Sequence, residues 1–385
     1  MNFNLTDEQK SFQSLARDFA KKELSPHAGR WDSEKIFPKK VIQKAAEMGF
    51  CGLYLKEDVG GLSCSRLDTA LIFEELATAC PSTTAYISIH NMTSWMVDEF
   101  GSEQIRKEFV PQLAQGKYLS SYCLTEPWSG SDAAGLKTTA QLKNSKWILN
   151  GTKAFVSGAG DTEILVVMAR TGADGPKGIS SFVVPSNSKG ISFGENEKKM
   201  GWNSQPTRIV NLDQVEIPKE NILGKEGEGF KIAMQGLNGG RINIGTCSVG
   251  AAQGAIEHTQ KYMKEREQFG KTLSQFQALR FKVADMVTEV TASRQMIRLA
   301  AFKLDQKDPQ AATYCAMAKR LATDLCFQVC NEAIQLHGGY GYTHEYPLER
   351  LMRDARVHQI LEGTNEIMRL IISREVLDEN QILFS

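Results

Sequence analysis

Three segments of this 385-residue chain combine chemically useful side chains with loop-forming residues. The first, Gln359-Ile360-Leu361-Glu362-Gly363-Thr364-Asn365-Glu366, presents a carboxylate in a turn, with Thr364 placed to cap a following helix. A lone Glu beside Gly is ordinarily a solvated turn residue. The second, Tyr122 to Asp132, sets hydroxyls among Gly and Pro, a lining suited to an anionic or heteroaromatic ligand, or a plain loop. The third, Gln335-Leu336-His337-Gly338-Gly339-Tyr340-Gly341-Tyr342, closes a helical stretch with glycines, either as a helix stop or for close backbone approach to a ligand. His337 and His358 are further general bases on residue type alone. Other chemistries lack their spacing. Gly270-Lys271-Thr272 resembles the end of a P-loop, but Glu265 occupies the required upstream Gly position. No G-x-G-x-x-G follows a strand pattern, and no G-x-S-x-G elbow is present. Cys326 and Cys330 are four apart on one helix face without a companion ligand pair, which reads as core packing; no metal is expected.

The elements that must position these segments follow from the breakers. Residues 1–117 hold four prolines, 118–223 five, and 224–385 two, so the last part can form long helices and the middle cannot. Thr6 to Gln9 forms a capping box, after which Phe12, Leu15, Ala16, Phe19 and Ala20 follow a helical stripe. Between Trp147 and Ile217 the pattern turns to short β-rich runs, 147–149, 164–168 and 181–184. From Gly229 onward, 281–302 and 311–336 are too long and too poor in breakers for strands. The expected class is α+β multidomain: a helical domain 1–117, a middle β domain 118–223 and a C-terminal helical bundle 224–385.

Composition agrees with a globular enzyme-sized chain. Lys+Arg and Asp+Glu number 45 each, a balance that argues against a nucleic-acid partner. No apolar run reaches bilayer-spanning length, so no membrane insertion is expected. Eight scattered cysteines without C-x-x-C suit a reducing compartment. The start carries neither a signal h-region nor an Arg-rich transit peptide, pointing to the cytoplasm of a bacterium or, after processing, to a mitochondrial matrix.

Taken together and in order, Tyr122–Pro127 with Ser129–Ala134, Lys153–Gly160, Arg266–Lys271, Gln335–Tyr342 and Ile360–Arg369 resemble the acyl-CoA dehydrogenase family of flavoproteins over essentially the whole chain. The resemblance implies a helical N-terminal domain, a β-barrel-like middle domain and a C-terminal four-helix bundle. It implies FAD, an acyl-CoA substrate, a homotetramer built as a dimer of dimers, and electron transfer to electron-transfer flavoprotein. Ser82–Met92, Gly201–Arg208 and Leu237–Ile244 look like the valine-catabolic branch, which converts isobutyryl-CoA to methacrylyl-CoA. Neighbouring implications are 2-methylbutyryl- or butyryl-CoA as substrate, an acyl-CoA oxidase, or an inactive scaffold of the same fold.

By the same resemblance Glu362 is the base that removes the α-proton. Some family members keep the base on the helix that holds Leu237 to Arg241; here that position is Gly240, which cannot abstract a proton. Tyr122, Leu124, Thr125 and Ser131, then Phe155, Val156 and Ser157, match flavin contacts, Ser131 also touching substrate. Arg266, Phe276 and Gln277, with Gln335, Leu336, His337, Gly338 and Gly339, match positions that grip the FAD diphosphate and adenosine of a neighbouring subunit. Thr364, Asn365 and Glu366 complete the cofactor site, and Asn238, Gly239, Gly240, Arg241 and Arg374 match substrate contacts. Trp128 departs from the small or polar residue usual in the flavin loop; it would shield the cofactor, fill a subunit contact or narrow the acyl tunnel.

Overall fold

A computed structural model describes residues 4–377. Its first part is helical: α1 (Asp7–Phe19), α2 (Ala28–Glu34), α3 (Lys39–Glu47), α4 (Arg66–Ala79), α5 (Pro81–Phe100) and α6 (Glu103–Ala114). The capping box forms at α1, where Thr6 Oγ1 accepts from the Gln9 amide at 3.2 Å and Gln9 Oε1 accepts from the Thr6 amide at 3.1 Å. Ala16, Phe19 and Ala20 are buried, but Leu15 is exposed. It lies about 100° around the helix from Ala16, at the edge of the stripe.

The chain then builds a sheet from β1 (Ser120–Cys123), β2 (Thr139–Lys143), β3 (Lys146–Ser157), β4 (Ile164–Arg170), β5 (Ile179–Pro185), β6 (Ile191–Phe193), β7 (Thr207–Pro218) and β8 (Ile222–Leu223). Strand order is β6-β7-β3-β2-β4-β5-β8, with β1 parallel to β4. A single Thr139–Arg170 pairing joins the two halves, whose inner faces share Trp147, Leu149, Leu165, Val167, Phe182 and Val210. The arrangement is barrel-like in core, while β6 and β8 end the path without pairing to each other. The other face of β4 and β5, with Val166, Met168, Ile179 and Val183, packs on Met96, Phe109 and Ile232 of the helices. Burial on both faces explains why these strands are continuous apolar runs rather than alternating ones.

The C-terminal part contains α7 (Gly229–Glu265), the hairpin β9 (Glu267–Gln268) and β10 (Lys271–Thr272), then α8 (Gln277–Asp305), α9 (Ala311–His337), α10 (Leu348–Arg356) and α11 (Asn365–Leu377). α7 packs against α4, α5, α8 and α9 and so ties the first helices to the last. The P-loop look-alike is the turn of this hairpin, with Phe269 and Gly270 at φ of 51° and 75°. Cys326 and Cys330 are buried in the α7–α9 core, and among the described residues no cluster of three or more His, Cys, Asp or Glu has metal-site geometry. No described helix is long and apolar enough to cross a membrane.

Candidate active site

After α10 the chain makes one tight helical turn at Val357–Gln359, reverses through Ile360–Gly363 and enters α11. Thr364 caps that helix, its hydroxyl accepting from the Ile367 amide at 3.3 Å. Within the turn Glu362 and Gly363 both take positive φ, 57° and 89°. A left-handed Glu costs on the order of 1–3 kcal/mol, so the surroundings must enforce it. They do so through the carbonyls. Arg241 Nε donates to Glu362 O at 3.3 Å, and Lys319 Nζ donates to Gly363 O at 2.8 Å.

Part of Glu362 remains open, but its Oε2 is sealed from solvent and has no hydrogen-bond partner. Burial pushes the carboxyl from its ordinary 4.5 up to about 7, with Arg241 and Lys319 opposing the rise. The carboxylate lies against α7 at Gly240: a Cβ there would clash with Oε2 and come within 2.8 Å of Cδ. Glycine in mid-helix costs roughly 1 kcal/mol relative to Ala, and here it makes room for the acid. Gly239 likewise yields to the Arg66 guanidinium, which stacks 3.7 Å over the Tyr54 ring. Arg241 is buried, its Nη1 donating to Asn238 Oδ1 at 2.8 Å. Arg374, by contrast, stands exposed on α11. Tyr122 Oη is buried without a partner, and the Glu362 charge contributes to holding its phenol well above the ordinary range, after burial.

The Tyr122–Asp132 segment leaves β1 and is fastened from beneath. Glu126 and Lys153, both wholly buried, pair at 2.8 Å. Glu126 also accepts from the Lys137 and Thr138 amides at 2.7 and 2.9 Å, and Lys153 donates to Leu124 O at 3.1 Å. Pro127 and Trp128 form the tip, bracketed by mutual Glu126–Ser129 backbone hydrogen bonds. Trp128 is 54% exposed, its ring 5.7 Å from Lys137 Nζ, and Ser131 is also exposed. Thr125 O accepts from the Ala154 amide at 2.8 Å, which brings this loop beside the Phe155–Ser157 end of β3. There the β3–β7 register shifts, and Phe155 at φ 55° turns its ring outward, 69% exposed, while Val156 is buried. Bulges recur beside active sites, where they re-aim a side chain.

A separate cavity of about 500 Å³ is lined by Tyr262, Arg266, Gln335, Leu336, His337, Gly338, Gly339 and Tyr340 among others, uniting the third segment with Arg266. Gly338 takes φ 61°, and a Cβ on it or on Gly339 would meet nothing within 4 Å. Phe276 flanks this region, capped by Lys271 Nζ at 4.3 Å from its ring, and Gln277 beside it is exposed. None of these residues lines the Glu362 turn.

His358 fails as a base for an identifiable reason. His358 is buried, accepts at Nε2 from Trp202 Nε1 at 3.2 Å and lies 2.7 Å from Ser248 Oγ at Nδ1. Indole can only donate, so Nε2 holds no proton and is already occupied. Burial lowers this imidazole to about 3. His337 belongs to the other cavity, stacked on Tyr262 at 4.3 Å with Nδ1 2.9 Å from Ala333 O.

Sequence reading missed Lys153, Lys319, Arg66 and Tyr54. Lys319 carried a signal: Cys315, Lys319, Ala322 and Cys326 share one buried helical stripe, which places a cation inside. Lys153 continues the inward alternation of Trp147 and Leu149 along β3. Arg66 and Tyr54 are distant in sequence from every motif and carried none.

Comparisons with known proteins agree with this architecture. Family models for the N-terminal, middle and C-terminal domains of acyl-CoA dehydrogenase match residues 6–117, 121–215 and 227–377. The chain is 53% identical over 378 residues to a mitochondrial isobutyryl-CoA dehydrogenase of Bos taurus, covering 98% of this chain and 91% of that protein. It is 54% identical over 373 residues to the mitochondrial isobutyryl-CoA dehydrogenase of Dictyostelium discoideum, covering 97% and 90%. Butyryl-CoA dehydrogenase from Megasphaera elsdenii superposes with a TM-score of 0.95 at 38% identity, over 98% of this chain and 100% of that one. With all three domain models matched in order along nearly its full length, the chain belongs to the acyl-CoA dehydrogenase family.

Proposed function

We propose that this chain is an FAD-dependent dehydrogenase that converts isobutyryl-CoA to methacrylyl-CoA and passes the electrons to electron-transfer flavoprotein. The observation that carries the reading is the Glu362 carboxylate, half sealed, unpartnered at Oε2 and facing the bare backbone of Gly240. An α-proton of a thioester is weakly acidic, and a desolvated carboxylate with a raised pKa is the base suited to it near neutral pH. The high identity to two isobutyryl-CoA dehydrogenases supports the choice of acyl group.

The residues present fit FAD. Tyr122 offers an unpartnered buried hydroxyl, Phe155 an outward ring at a strained bulge, and Gly338–Gly339 a backbone open to close approach beside the Arg266 fork. In this reading Tyr122, Leu124, Thr125, Ser131, Phe155, Val156, Ser157, Thr364, Asn365 and Glu366 hold the cofactor of their own subunit. Arg266, Phe276, Gln277 and Gln335 to Gly339 hold that of a neighbour. When bound, FAD supplies the acceptor for the substrate's β-hydride. Glu362 would take the α-proton onto its carboxylate, the protein's share of an oxidation that would leave the α,β-enoyl thioester as product. The Glu362 amide would hold the thioester oxygen, so base and donor come from one turn. Asn238, Gly239, Gly240, Arg241 and Arg374 are assigned to the substrate side.

The remaining parts of the proposal are a homotetramer arranged as a dimer of dimers, domain limits at 117/118 and 223/224, and a mitochondrial matrix or bacterial cytoplasmic location. Purified protein is expected to be yellow and to bleach anaerobically with isobutyryl-CoA. Rates with isobutyryl-, 2-methylbutyryl-, butyryl- and isovaleryl-CoA measured side by side test the acyl assignment, and a faster straight-chain substrate overturns it. One methylene in an apolar pocket is worth only about 1–3 kcal/mol, so the expected preference is about 10–200-fold.

A further inference from the structure

Two successive carbonyls of the Glu362–Gly363 turn each meet a cation, Arg241 from α7 and Lys319 from α9. Lys319 is wholly buried, and no carboxylate among the described residues lies within ion-pair distance of its Nζ. Its acceptors are Gly363 O at 2.8 Å and Asn365 Oδ1 at 2.9 Å. Asn365 is itself oriented, its Nδ2 donating to Thr323 Oγ1 at 2.9 Å and Asp324 Oδ1 at 2.6 Å, which turns Oδ1 toward the lysine. An ammonium buried without a carboxylate is costly, and an apolar side chain on the same stripe would avoid that cost.

Resting on the reading of Glu362 as the base, we infer that Lys319 is a positioning residue of the catalytic turn, clamping the backbone that follows Glu362 and favouring its ionised form. The clamp acts on two residues that follow the base, Gly363 through its carbonyl and Asn365 through its side chain. The charge acts across the turn. Around Glu362 stand Arg241 from α7, Lys319 from α9 and Tyr122 from β1, with Tyr54 sensing its charge. Around Lys319 stand Glu362, Arg241, Asp324 and Glu366. Burial draws Lys319 down to about 7, with Glu362 raising it, so each group of the pair stabilises the other's charge.

The test uses FAD-loaded Lys319→Gln, Lys319→Met and Lys319→Arg, with anaerobic reduction by isobutyryl-CoA followed against pH. Removing the cation, which opposes the rise of the Glu362 carboxyl, is expected to raise the midpoint of the rate profile by about one pH unit in the Gln and Met variants, the low end of what a nearby opposite charge does to a carboxylate. Met, which also lacks hydrogen bonds, is expected to lower the high-pH plateau about 10-fold further with KM little changed. Arg is expected to keep the wild-type midpoint. Wild-type midpoint and plateau in both Gln and Met overturn the inference. If these variants fail to load FAD, Thr323→Val removes one of the two acceptors that orient the Asn365 amide and is expected to lower the plateau several-fold; an unchanged plateau there overturns the Asn365 arm of the clamp. Glu362→Gln separates the two levels. Normal reduction in that variant removes the base assignment itself, whereas an inactive Glu362→Gln beside unaltered Lys319 variants removes only the role of Lys319.

Discussion

The Glu362 turn and the Arg266/Gln335–Gly339 cavity are built in opposite ways. At the turn, everything needed to fix the carboxylate comes from within the chain: cations on two carbonyls, a glycine at 240 opposite the acid, a capping threonine. At the cavity the chain presents open glycine backbone, an arginine and an exposed aromatic ring, Tyr340. The contrast teaches where the fold invests rigidity. On the function proposed above, a proton-transfer site that tolerates little misplacement is enclosed, whereas a surface assigned to a neighbour's cofactor would complete itself by assembly.

The comparison can be broken or sharpened by substitution. Glu362→Gln should reduce anaerobic flavin bleaching by roughly 10³-fold or more while FAD absorbance is retained, the range of a lost general base. Lys153→Met leaves Glu126 buried and unpaired beneath the flavin loop, and should cost about 3–5 kcal/mol, read as a lowered thermal midpoint. An unchanged midpoint would show that the loop is not fastened there. Gly240→Ala places a methyl against the Glu362 carboxylate and should lower the bleaching rate about 10²-fold with FAD affinity intact. Arg266→Ala, on the open side, should weaken FAD retention about 10-fold on dialysis yet restore full rate in excess FAD, as expected for one hydrogen bond to a charged group. Equal loss of rate in Gly240→Ala and Arg266→Ala at saturating FAD would erase the distinction.

A smaller effect follows from pH. Because the folded Glu362 carboxyl stands near 7 against an ordinary 4.5, its contribution to stability is present below 4.5 and is lost as pH rises through about 7. The ionised form that the proposed reaction needs appears as pH rises through about 7. Thermal midpoints between pH 4.5 and 7 should therefore fall less steeply in Glu362→Gln than in the wild type.

Much of this was legible in the sequence where local patterns decide structure. Proline spacing marked the helical ends, the capping box at Thr6 formed, and Thr364 caps α11 as its position suggested. Periodicity placed α8 and α9; α8 runs four residues earlier and three later than the expected 281–302, and α9 one residue past the expected 311–336. Resemblance of the motifs gave Glu362 and Gly240, and the structure shows the two in contact. What could not be read were partnerships set by tertiary packing. Lys153 reaches Glu126 across a strand, Arg66 reaches Gly239 and Tyr54 from another helix, and His358 is silenced by Trp202 and Ser248 from two different elements. Each joins residues far apart in sequence, so no local window contains the signal.

The most direct measurement of the central claim isolates proton abstraction from oxidation. Isobutyryl-CoA incubated anaerobically in deuterium oxide with the FAD-loaded protein, followed by proton NMR, reports exchange at Cα alone. The account expects rapid exchange in the wild type, rising through about pH 7, and none above background in Glu362→Gln. Wild-type exchange in Glu362→Gln would contradict it.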